Sequence, residues 1–432
     1  MASFTAMGLL SARPTGGLRI GYLTGIYPRA TDTFIQREVA ALRDRGLTVD
    51  EYSVRRPEPA QLLTAAHHEV AARTTYLLPP TANTAAAVLL ALRSPARFLR
   101  TAALAWRTHP AGVRGSAKQA AYFVEACVLA RQLRARGTDH LHNHFPDSSG
   151  TVAMLAAELA GIGFSFTMHG AEILRDSAKW RLDEKVARAR FGVSVSWYGR
   201  AQAMLVSPSA SWAKLHVVHC GVDIDGYAAR THLADGRHVV FVGRLDEIKG
   251  LPVLLDAIAT VQRHLPDVQL TLVGDGPDRE ALQRRADELG LAGAVHFPGY
   301  ANSEQVRDHL AAADVFVLPS FFEGIPVSLM EAMASGVPVV ASNLPGIAEL
   351  VADGASGHLV PAGDSAALAA RLVELLADHD LRTRMGAAGR ATVAAEFSLE
   401  HEAARLHGLL VTALAGRPSA VRPEPEVASD GG

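Results

Sequence analysis

Short apolar runs alternate with amphipathic segments along most of the chain, a pattern typical of α/β proteins with parallel sheets. It begins with a strand at Arg19–Thr24, a helix at Thr33–Arg45 and a strand at Thr48–Ser53. Further strands in this half are predicted at His140–His144, Phe164–His169, Phe191–Ser196 and Leu215–His219. Together these elements predict one doubly wound domain that ends near residue 222.

A second series of the same kind follows Gly221–Gly236, a polar and irregular stretch that is typical of a linker. Its buried-type strands are predicted at Val239–Val242, Leu270–Val273, Val295–Phe297, Val315–Leu318, Val337–Ala341 and His358–Val360. Helices follow at 366–377, 381–395 and Leu399–Leu414. We therefore expect two doubly wound domains that face each other across a cleft, with ligands at the carboxyl ends of the strands.

The predicted organisation has six parts. They are a flexible N-terminus at 1–17, an N-terminal domain at 18–222, a linker at 223–236, a C-terminal domain at 237–396, a helix at 397–415 that packs back toward the N-terminal domain, and a disordered tail at 416–432. The tail is rich in Pro, Gly and charged residues, which disfavours a packed structure.

The overall charge hides a difference between the two halves. The 432 residues include 42 Lys+Arg and 44 Asp+Glu, giving a formal net charge of −2. Residues 1–226 have 26 basic and 17 acidic side chains, a net +9, whereas residues 227–432 have 16 and 27, a net −11. Such an asymmetry predicts an anionic partner for one half. The 49% of hydrophobic residues excludes a largely disordered chain.

Cysteine content and hydropathy predict a soluble cytoplasmic protein. Cys127 and Cys220 are the two cysteines, and neither lies in a C-x-x-C pair, which favours a reducing compartment. The first ten residues lack the basic region of a secretory signal. The most apolar stretch, Ala85–Leu92, is followed by Arg93 and is shorter than the ~18 residues that a bilayer span requires.

The segment FEGIPVSLMEAMASGVPVVAS at Phe322–Ser342 carries two glutamates eight residues apart. Glu323 falls in a loop after a predicted strand, and Glu331 lies about two turns along a helix that begins near Pro326. Backbone N–H groups at such a helix start bind phosphate or sugar oxygens, and a carboxylate accepts two sugar hydroxyls. This layout suits a sugar nucleotide; the alternative is an ordinary loop glutamate and a solvated helix face.

Two cations follow the first strand of the second series. Arg244 and Lys249 lie in VGRLDEIKG, directly after Val239–Val242. Positioned cations stabilise the negative charge that develops on a leaving nucleoside diphosphate, and arginine engages phosphate bidentately. The alternative is a pair of surface side chains in a loop.

These strings together resemble the retaining glycosyltransferases of family 4, which have the GT-B fold. The resemblance spans about residues 18–396 and rests on VGRLDEIKG, on LVGDGP at Leu272–Pro277, on FSFTMHG at Phe164–Gly170 and on the glutamate segment. Within the family, YPRATDTFIQREVAALRDRG and HNHF are most similar to exopolysaccharide and colanic-acid-type enzymes. The implied fold class is α/β, GT-B, with two Rossmann-like domains facing across a cleft.

The resemblance also implies roles for individual residues. Glu331 holds the ribose, and Glu323 contacts the transferred sugar with the help of Gly324, Ile325, Pro326 and Val327. Arg244, Lys249 and Gly243 bind the donor diphosphate. Gly274, Asp275 and Tyr300 lie toward the base, and Gly25, Thr33 and His144 lie on the acceptor side. The loop Gly25–Thr33 lacks the Gly-Gly pair that many relatives have, so its phosphate contacts do not carry over.

His169 and Glu323 are the predicted catalytic residues. The family places the histidine against the donor sugar, near the reacting carbon, although a lone histidine is more often structural. Glu323 is expected to bind sugar rather than to attack it. We therefore favour a front-face reaction, in which the acceptor hydroxyl enters on the side of the leaving phosphate and that phosphate accepts its proton.

The histidines of HLHNH raise the question of a metal. His140, His142 and His144 alternate on a strand and share one face, as metal ligands often do. The resemblance, however, places His144 by the acceptor cleft without a metal, and no D-x-D pair occurs at a strand end in the context typical of metal-dependent transferases. We predict metal independence and no cofactor, with a nucleotide-diphosphate-sugar as the donor substrate.

The region Ala85–Arg136 is strongly basic, with one acidic residue, Glu125. Its cations are Arg93, Arg97, Arg100, Arg107, Arg114, Lys118, Arg131, Arg134 and Arg136. Apolar side chains interleave with them, so 93–107 fits an amphipathic helix on an anionic membrane surface. Such a helix suits a polyprenyl-diphosphate-linked acceptor. It also suits a peripheral position at the inner face of the cell membrane. A solvated helical face is the alternative. Nucleic acid is not an expected partner, because no recognition module accompanies the charge.

The function predicted from the sequence is that of a retaining hexosyltransferase-type enzyme. It moves a sugar from a nucleotide-diphosphate-sugar to a saccharide or lipid-linked saccharide, in exopolysaccharide or glycoconjugate biosynthesis. The alternatives are transfer onto a small-molecule natural product and a nucleotide-sugar epimerase of the same fold. A dinucleotide oxidoreductase is disfavoured, because no G-x-G-x-x-G follows the first strand. A non-catalytic sugar-binding module leaves Arg244 and Lys249 without a role.

Overall fold

The computed structural model describes residues 17–415, apart from 30–31, 80–84, 86–88, 90–91, 171–176 and 228–235. Within these residues the strands pair in parallel and form one sheet of seven strands and one of six. The predicted α/β class with two doubly wound sheets is confirmed. Residues 1–16 of the flexible N-terminus predicted at 1–17 lie outside the described residues, as do the predicted tail at 416–432, most of the predicted linker and most of Ala85–Leu92.

The first sheet has the order β3-β2-β1-β4-β5-β6-β7. Its strands are β1 (Arg19–Ile26), β2 (Thr48–Arg55), β3 (Thr75–Tyr76), β4 (His140–His144), β5 (Gly163–Met168), β6 (Gly192–Ser194) and β7 (Leu215–Val217). Its helices are α1 (Thr33–Asp44), α2 (Ala65–Arg73), α3 (Pro95–Arg107), α4 (Val113–Arg136), α5 (Ser148–Ala160), α6 (Leu182–Arg188) and α7 (Trp197–Leu205). The strand order reverses between β1 and β4, which places a crevice at their carboxyl ends.

The second sheet has the order β10-β9-β8-β11-β12-β13 and reverses between β8 and β11. Its strands are β8 (His238–Val242), β9 (Gln269–Val273), β10 (Val295–Gly299), β11 (Val315–Leu318), β12 (Val339–Ser342) and β13 (His358–Val360). The helices that follow are α8 (Leu251–His264), α9 (Arg279–Glu288), α10 (Ser303–Ala312), α11 (Val327–Ala334), α12 (Pro345–Ala348), α13 (Ser365–Ala377), α14 (His379–Glu396) and α15 (Leu399–Leu414).

Helices cover both faces of the second sheet, and this explains its continuous apolar strands. The four residues of β11, VFVL, are all fully buried, as a strand covered on both faces requires. The apolar positions of α8 recur every three or four residues, and the residues buried there include Leu251, Leu254, Leu255 and Ile258. Burial of this one helical stripe against the sheet fixes the position of α8.

The structure corrects some predicted elements and adds others. β12 begins at Val339 rather than Val337, because Pro338 has no N–H to donate to the ladder. The helices α2, α4, α6 and α7 and the short edge strand β3 were not predicted. Alanines occupy half of the exposed positions of α4, and Gln119 and Glu125 are among its buried residues, so its apolar period is weak in the sequence although one side packs in the first core. None of the described helices is long and apolar enough to cross a membrane.

Several contacts join the two halves of the chain. The helix α15 packs on α1, with Leu406 and Leu410 in the same apolar cluster as Ile35 and Val39. Farther along, the carboxylate of Glu349 accepts hydrogen bonds from the backbone N–H groups at the start of α7, each at 2.7 Å. These contacts bring the carboxyl ends of both sheets to one cleft. The domain limits given above stay predictions.

Candidate active site

A cavity of about 1160 Å³ lies between the carboxyl ends of the two sheets. Fourteen of the sixteen predicted site residues line it: Thr33, His169, Gly243, Arg244, Lys249, Gly274, Asp275, Tyr300, Glu323, Gly324, Ile325, Pro326, Val327 and Glu331. Most of them follow strands that end at the two reversals of strand order, which is where ligands bind in sheets of this kind. The tertiary structure thus brings residues from distant parts of the chain to one site.

Glu323 and Lys249 form an ion pair at the centre of the second half's wall. The Lys249 Nζ atom lies 2.6 Å from Glu323 Oε1, and the Ser320 hydroxyl donates to the same oxygen at 2.7 Å. The loop after β11 holds this carboxylate close to the first sheet. A Cβ added at Gly324 would lie 2.6 Å from the carbonyl oxygen of His169, so only glycine fits there. Lys249 is therefore paired with the predicted sugar-binding carboxylate, and both residues line the cavity.

Arg244 extends from the end of β8 toward solvent. Its side chain is 63% exposed, and its Nε atom lies 3.4 Å from Asp246 Oδ2. The backbone beside it is tightly packed: Gly274 has a φ of 138°, and a Cβ there would lie 1.9 Å from the carbonyl oxygen of Gly243. The two glycines allow the loops after β8 and β9 to touch, while Arg244 retains freedom to meet a ligand.

The helix α11 points its start at the cavity. It begins at Val327, with Pro326 as the N-cap residue, and both residues line the cavity together with Ser328. The first N–H groups of a helix have no partner within the helix and carry a partial positive charge. They are therefore available to phosphate or sugar oxygens, as expected from the sequence.

Glu331 has a partner that the sequence did not reveal. Arg37 of α1 donates to Glu331 Oε1 at 3.0 Å, and both side chains are largely buried. Tyr227 lies beside them, and burial, together with the charge of Glu331, raises the pKa of its hydroxyl. The predicted ribose-binding carboxylate is thus part of an ion pair between the two halves of the molecule.

His169 follows β5 and lines the cavity from the first half. Its ring packs against Phe34, Phe145 and His144, with ring centroids 4.6, 4.8 and 4.8 Å away. Burial lowers its pKa well below the usual range, and the neighbouring His144 lowers the pKa further. His169 is therefore a neutral imidazole held on several sides.

Two predicted site residues lie elsewhere. His144 is fully buried behind His169 and does not reach the cavity, because β4 is covered by helices on both faces. Gly25 was placed in the loop after the first strand, but β1 continues to Ile26, which pairs with Arg55 of β2. Gly25 is therefore part of the sheet and does not line the cavity.

The histidine face of β4 offers a cluster whose geometry could hold a metal, although not the one considered from the sequence. Among the described residues, Glu38, His142 and His144 place one ligand atom each within 4.8 Å of one another. Both nitrogens of His142, however, already face hydroxyls, Ser165 Oγ at 2.7 Å and Thr167 Oγ1 at 2.9 Å. An imidazole nitrogen bonds in one in-plane direction, so a metal would displace a hydroxyl. Metal independence stays a prediction.

The first half contributes lining residues that sequence reasoning missed. They are Arg29, Gln61, Leu63, Phe145, Asp147, Gly170 and Trp180. Asp147 had a signal, since it follows a strand and caps α5 by accepting from the backbone N–H of Ser149 at 2.8 Å. Gln61 and Trp180 come from connections far from any motif, so nothing in the sequence marks them.

The described lining carries more carboxylates than cations. It includes three Arg and Lys side chains and five Asp and Glu side chains. The net charge of the cavity therefore does not attract an anion. A diphosphate would depend on the local cations Arg244 and Lys249 and on the N–H groups at the start of α11.

Comparisons with known proteins agree with this geometry. Residues 229–392 match the family model "Glycosyl transferases group 1". The chain is 37% identical over 229 residues to the putative colanic acid biosynthesis glycosyltransferase WcaL of Salmonella typhimurium. This match covers 51% of this chain and 55% of WcaL. It is 29% identical over 406 residues to the amylovoran biosynthesis glycosyltransferase AmsK of Erwinia amylovora, covering 88% and 96%. It is 44% identical over 179 residues to a phosphatidyl-myo-inositol mannosyltransferase of Mycobacterium leprae, covering 40% and 47%. The matches with WcaL and the mannosyltransferase thus span about half of those relatives.

Solved structures share the whole architecture. HepE of Anabaena, solved in complex with UDP, superposes with a TM-score of 0.71 at 17% identity, covering 91% of this chain and 100% of that one. Sucrose-phosphate synthase of Thermosynechococcus elongatus gives a TM-score of 0.69 at 22% identity, covering 92% and 100%. The expected GT-B fold and the resemblance to exopolysaccharide and colanic-acid-type enzymes are confirmed. Residues 229–392 of this protein are a glycosyl transferases group 1 domain, and they lie within a GT-B fold.

Proposed function

We propose that this protein is a glycosyltransferase that moves a sugar from a nucleotide-diphosphate-sugar to a saccharide or lipid-linked acceptor. One observation carries the proposal: two cations, two carboxylates and a helix start from the second half meet His169 from the first half in one cavity. Cations and the N–H groups of a helix start bind diphosphate oxygens, and carboxylates bind sugar hydroxyls, so a sugar nucleotide requires both kinds of group in one cavity. The names of WcaL and AmsK support a place in exopolysaccharide or glycoconjugate biosynthesis.

The proposed reaction is retaining and independent of metal. The bond between the anomeric carbon and the diphosphate breaks, and the acceptor oxygen bonds to that carbon from the same face. The acceptor proton passes to the departing phosphate oxygen. Arg244 and Lys249 stabilise the negative charge on the diphosphate, while Glu323 and the N–H groups at the start of α11 hold the sugar. Support for this scheme is the ion pair of Lys249 with Glu323, which joins the sugar-binding and phosphate-binding groups.

The acceptor in this proposal reaches the cavity from the first half. Trp180 offers an aromatic face, and Arg29, Gln61 and Asp147 offer polar groups that suit a saccharide. A polyprenyl-diphosphate-linked saccharide would also meet the basic helices α3 and α4. We place the protein in the cytoplasm, peripheral at the inner face of the cell membrane, and the exposed basic and apolar side chains of α3 support this position.

A screen of nucleotides tests the proposal. Uridine, guanosine and adenosine diphosphates and their sugars are added to the full chain, and thermal unfolding is recorded. A bound ligand raises the apparent Tm, because it stabilises the folded state. The best donor is then incubated with and without saccharide acceptors, and NMR distinguishes transfer from the appearance of a new epimer. The proposal is rejected when no nucleotide raises the Tm, or when an epimer forms without acceptor.

A further inference from the structure

A chain of polar side chains leads from the interior of the first half to the candidate active site. The Tyr22 hydroxyl donates to Glu38 Oε1 at 2.6 Å, and the same oxygen lies 3.1 Å from His144 Nε2. The other nitrogen of His144, Nδ1, lies 2.6 Å from His169 Nε2. Three residues from β1, α1 and β4 thus lead in sequence to His169, which follows β5 and lines the cavity.

The chemistry of the partners assigns each proton in this chain. The Glu38 oxygen that lies 3.1 Å from His144 Nε2 only accepts, so a neutral His144 ring carries its hydrogen on Nε2, although the two atoms are not aligned as a hydrogen bond. His144 Nδ1 is then an acceptor, and His169 Nε2 carries the hydrogen between the two rings. His169 Nδ1 is left as an acceptor, and it faces Cys220 Sγ at 3.5 Å. Burial raises the pKa of the Cys220 thiol, so an S–H group is present to donate.

This arrangement has a consequence for His169. Each imidazole nitrogen donates or accepts in one in-plane direction, and both directions are occupied by protein atoms. The ring therefore has no nitrogen left for a proton of the acceptor or a sugar hydroxyl. The rings of Phe34 and Phe145 pack against it and further restrict its rotation.

We propose that Glu38 and His144 are positioning residues that hold His169 as the neutral Nε2–H tautomer in one orientation. His169 then acts as a fixed wall against the donor sugar and does not transfer a proton. The inference rests on the proposed function where it speaks of the donor, but the tautomer is a property of the unliganded protein. Proton acceptance by the leaving phosphate, as in the front-face scheme, is consistent with this role.

The tautomer is measured directly by long-range proton–nitrogen NMR on protein labelled with nitrogen-15 histidine. The His169 signals are identified by their loss in His169→Gln. We expect the wild-type His169 to show a protonated Nε2 and a bare Nδ1. Glu38→Leu removes the acceptor, so His144 should protonate Nδ1 instead and turn His169 into the Nδ1–H form. Glu38→Gln keeps an acceptor oxygen and should retain the wild-type tautomer.

A matched control and a second variant keep the test decisive. Glu51 is a buried carboxylate that, like Glu38, accepts from a tyrosine, the Tyr27 hydroxyl at 3.0 Å, so Glu51→Leu should leave the His169 signals unchanged. If Glu38→Leu does not fold, His144→Phe keeps a ring but removes the acceptor, and an Nδ1–H form of His169 should appear. A wild-type His169 that is charged or Nδ1-protonated, or a tautomer unchanged in folded Glu38→Leu or His144→Phe, overturns the proposal.

Kinetics supplies a second readout. With the best donor, Glu38→Leu should lower kcat by about tenfold to hundredfold through misplacement of His169, with the donor KM changed by less than about threefold. Glu38→Gln should restore most of the rate. A protein without any transfer activity contradicts the proposed function, whereas the NMR result still decides the role of Glu38 and His144.

Discussion

Glu323 is held by two polar side chains in the cavity wall. One of its oxygens receives both the Lys249 ammonium and the Ser320 hydroxyl, and its side chain is only 10% exposed. Such fixed partners orient the carboxylate before any ligand arrives, so little reorganisation is needed when a sugar hydroxyl binds. Sequence reasoning found the residue, but not the partners that orient it.

We expect Glu323→Gln to lower the rate of sugar transfer by about hundredfold while leaving nucleoside diphosphate affinity within about threefold, because the lost charge faces the sugar. Initial rates and calorimetric titration measure the two quantities. Glu288→Gln, an exposed glutamate in α9, is the matched control. An unchanged rate in Glu323→Gln contradicts the assigned role.

Lys185 is a buried lysine that supports one side of the cavity. It belongs to α6 and is fully buried. Its ammonium group donates to the carbonyl oxygens of Pro146 and Asp147, at 2.8 and 2.7 Å. These carbonyls belong to the loop of Phe145, a non-glycine residue with a φ of 64°, which lines the cavity. Burial lowers the pKa of Lys185 to about 7 from 10.5.

This lowered pKa predicts a pH dependence of stability. Between about pH 7 and about pH 10 the unfolded chain holds a proton on Lys185 that the folded chain has released, so stability rises with pH across this window. Lys185→Met lacks the group. The wild-type Tm minus the Lys185→Met Tm should therefore increase from neutral to alkaline pH, as measured by calorimetry. A difference that stays constant with pH would show that Lys185 has an ordinary pKa.

At the scale of the element, α3 presents two unlike sides. Thr101, Leu104 and Ala105 are buried against the first half, whereas Leu99 and Trp106, seven residues apart and hence on one face, are 66% and 71% exposed. Arg100 and Arg107 lie beside them with side chains 67% and 60% exposed. The exposed side thus combines apolar and cationic groups, as a helix on an anionic bilayer does.

We expect the double substitution Leu99→Ser and Trp106→Ser to weaken co-sedimentation with phosphatidylglycerol vesicles by about tenfold. Leu205→Ser, which changes an exposed leucine at the end of α7, should bind like the wild type. Binding should also decline with salt, because the cations contribute electrostatic attraction. The alternative of a solvated helix face is supported if the wild-type protein does not bind these vesicles, or if it binds phosphatidylcholine vesicles equally well.

At the scale of the whole molecule, the ion pair of Arg37 and Glu331 includes the predicted ribose-binding carboxylate in the contact between the halves. Arg37 belongs to α1 of the first sheet and Glu331 to α11 of the second, and the N–O distance is 3.0 Å. A ribose that binds Glu331 would share this carboxylate with Arg37. Substitution of each residue in turn can therefore distinguish a ligand-binding role of Glu331 from a purely structural one.

We expect Glu331→Gln to weaken nucleoside diphosphate binding by about tenfold, because a charged acceptor is lost from the ribose hydroxyls. Arg37→Gln should lower the Tm by a similar amount to Glu331→Gln but change the dissociation constant by less than about threefold. Calorimetric titration and thermal unfolding measure both effects. Equal losses of affinity in the two variants would assign Glu331 to the contact between the halves alone.

Local patterns determined much of this protein. The continuous apolar runs of strands such as β8 and β11 require burial on both faces, which already indicates parallel sheets covered by helices. The spacing of Glu323 and Glu331 and the cations of VGRLDEIKG depend on residues close in the chain, so the second half's wall of the cavity was predictable. The long helix α4 was not, because exposed alanines and the buried polar residues Gln119 and Glu125 weaken its apolar period.

Only the tertiary structure decided which distant residues meet. The partners of His169, Glu331 and Lys185 lie 25, 294 and 39 residues away along the chain, and no local pattern encodes such pairings. The burial of His144 likewise depends on the helices that cover β4, and the alternation of histidines in HLHNH does not reveal it. Sequence by itself specified all strands except the short edge strand β3, together with the motifs and the chemistry of one wall, because these follow from near neighbours. The opposite wall, the ion pair between the halves and the orientation of His169 follow from packing.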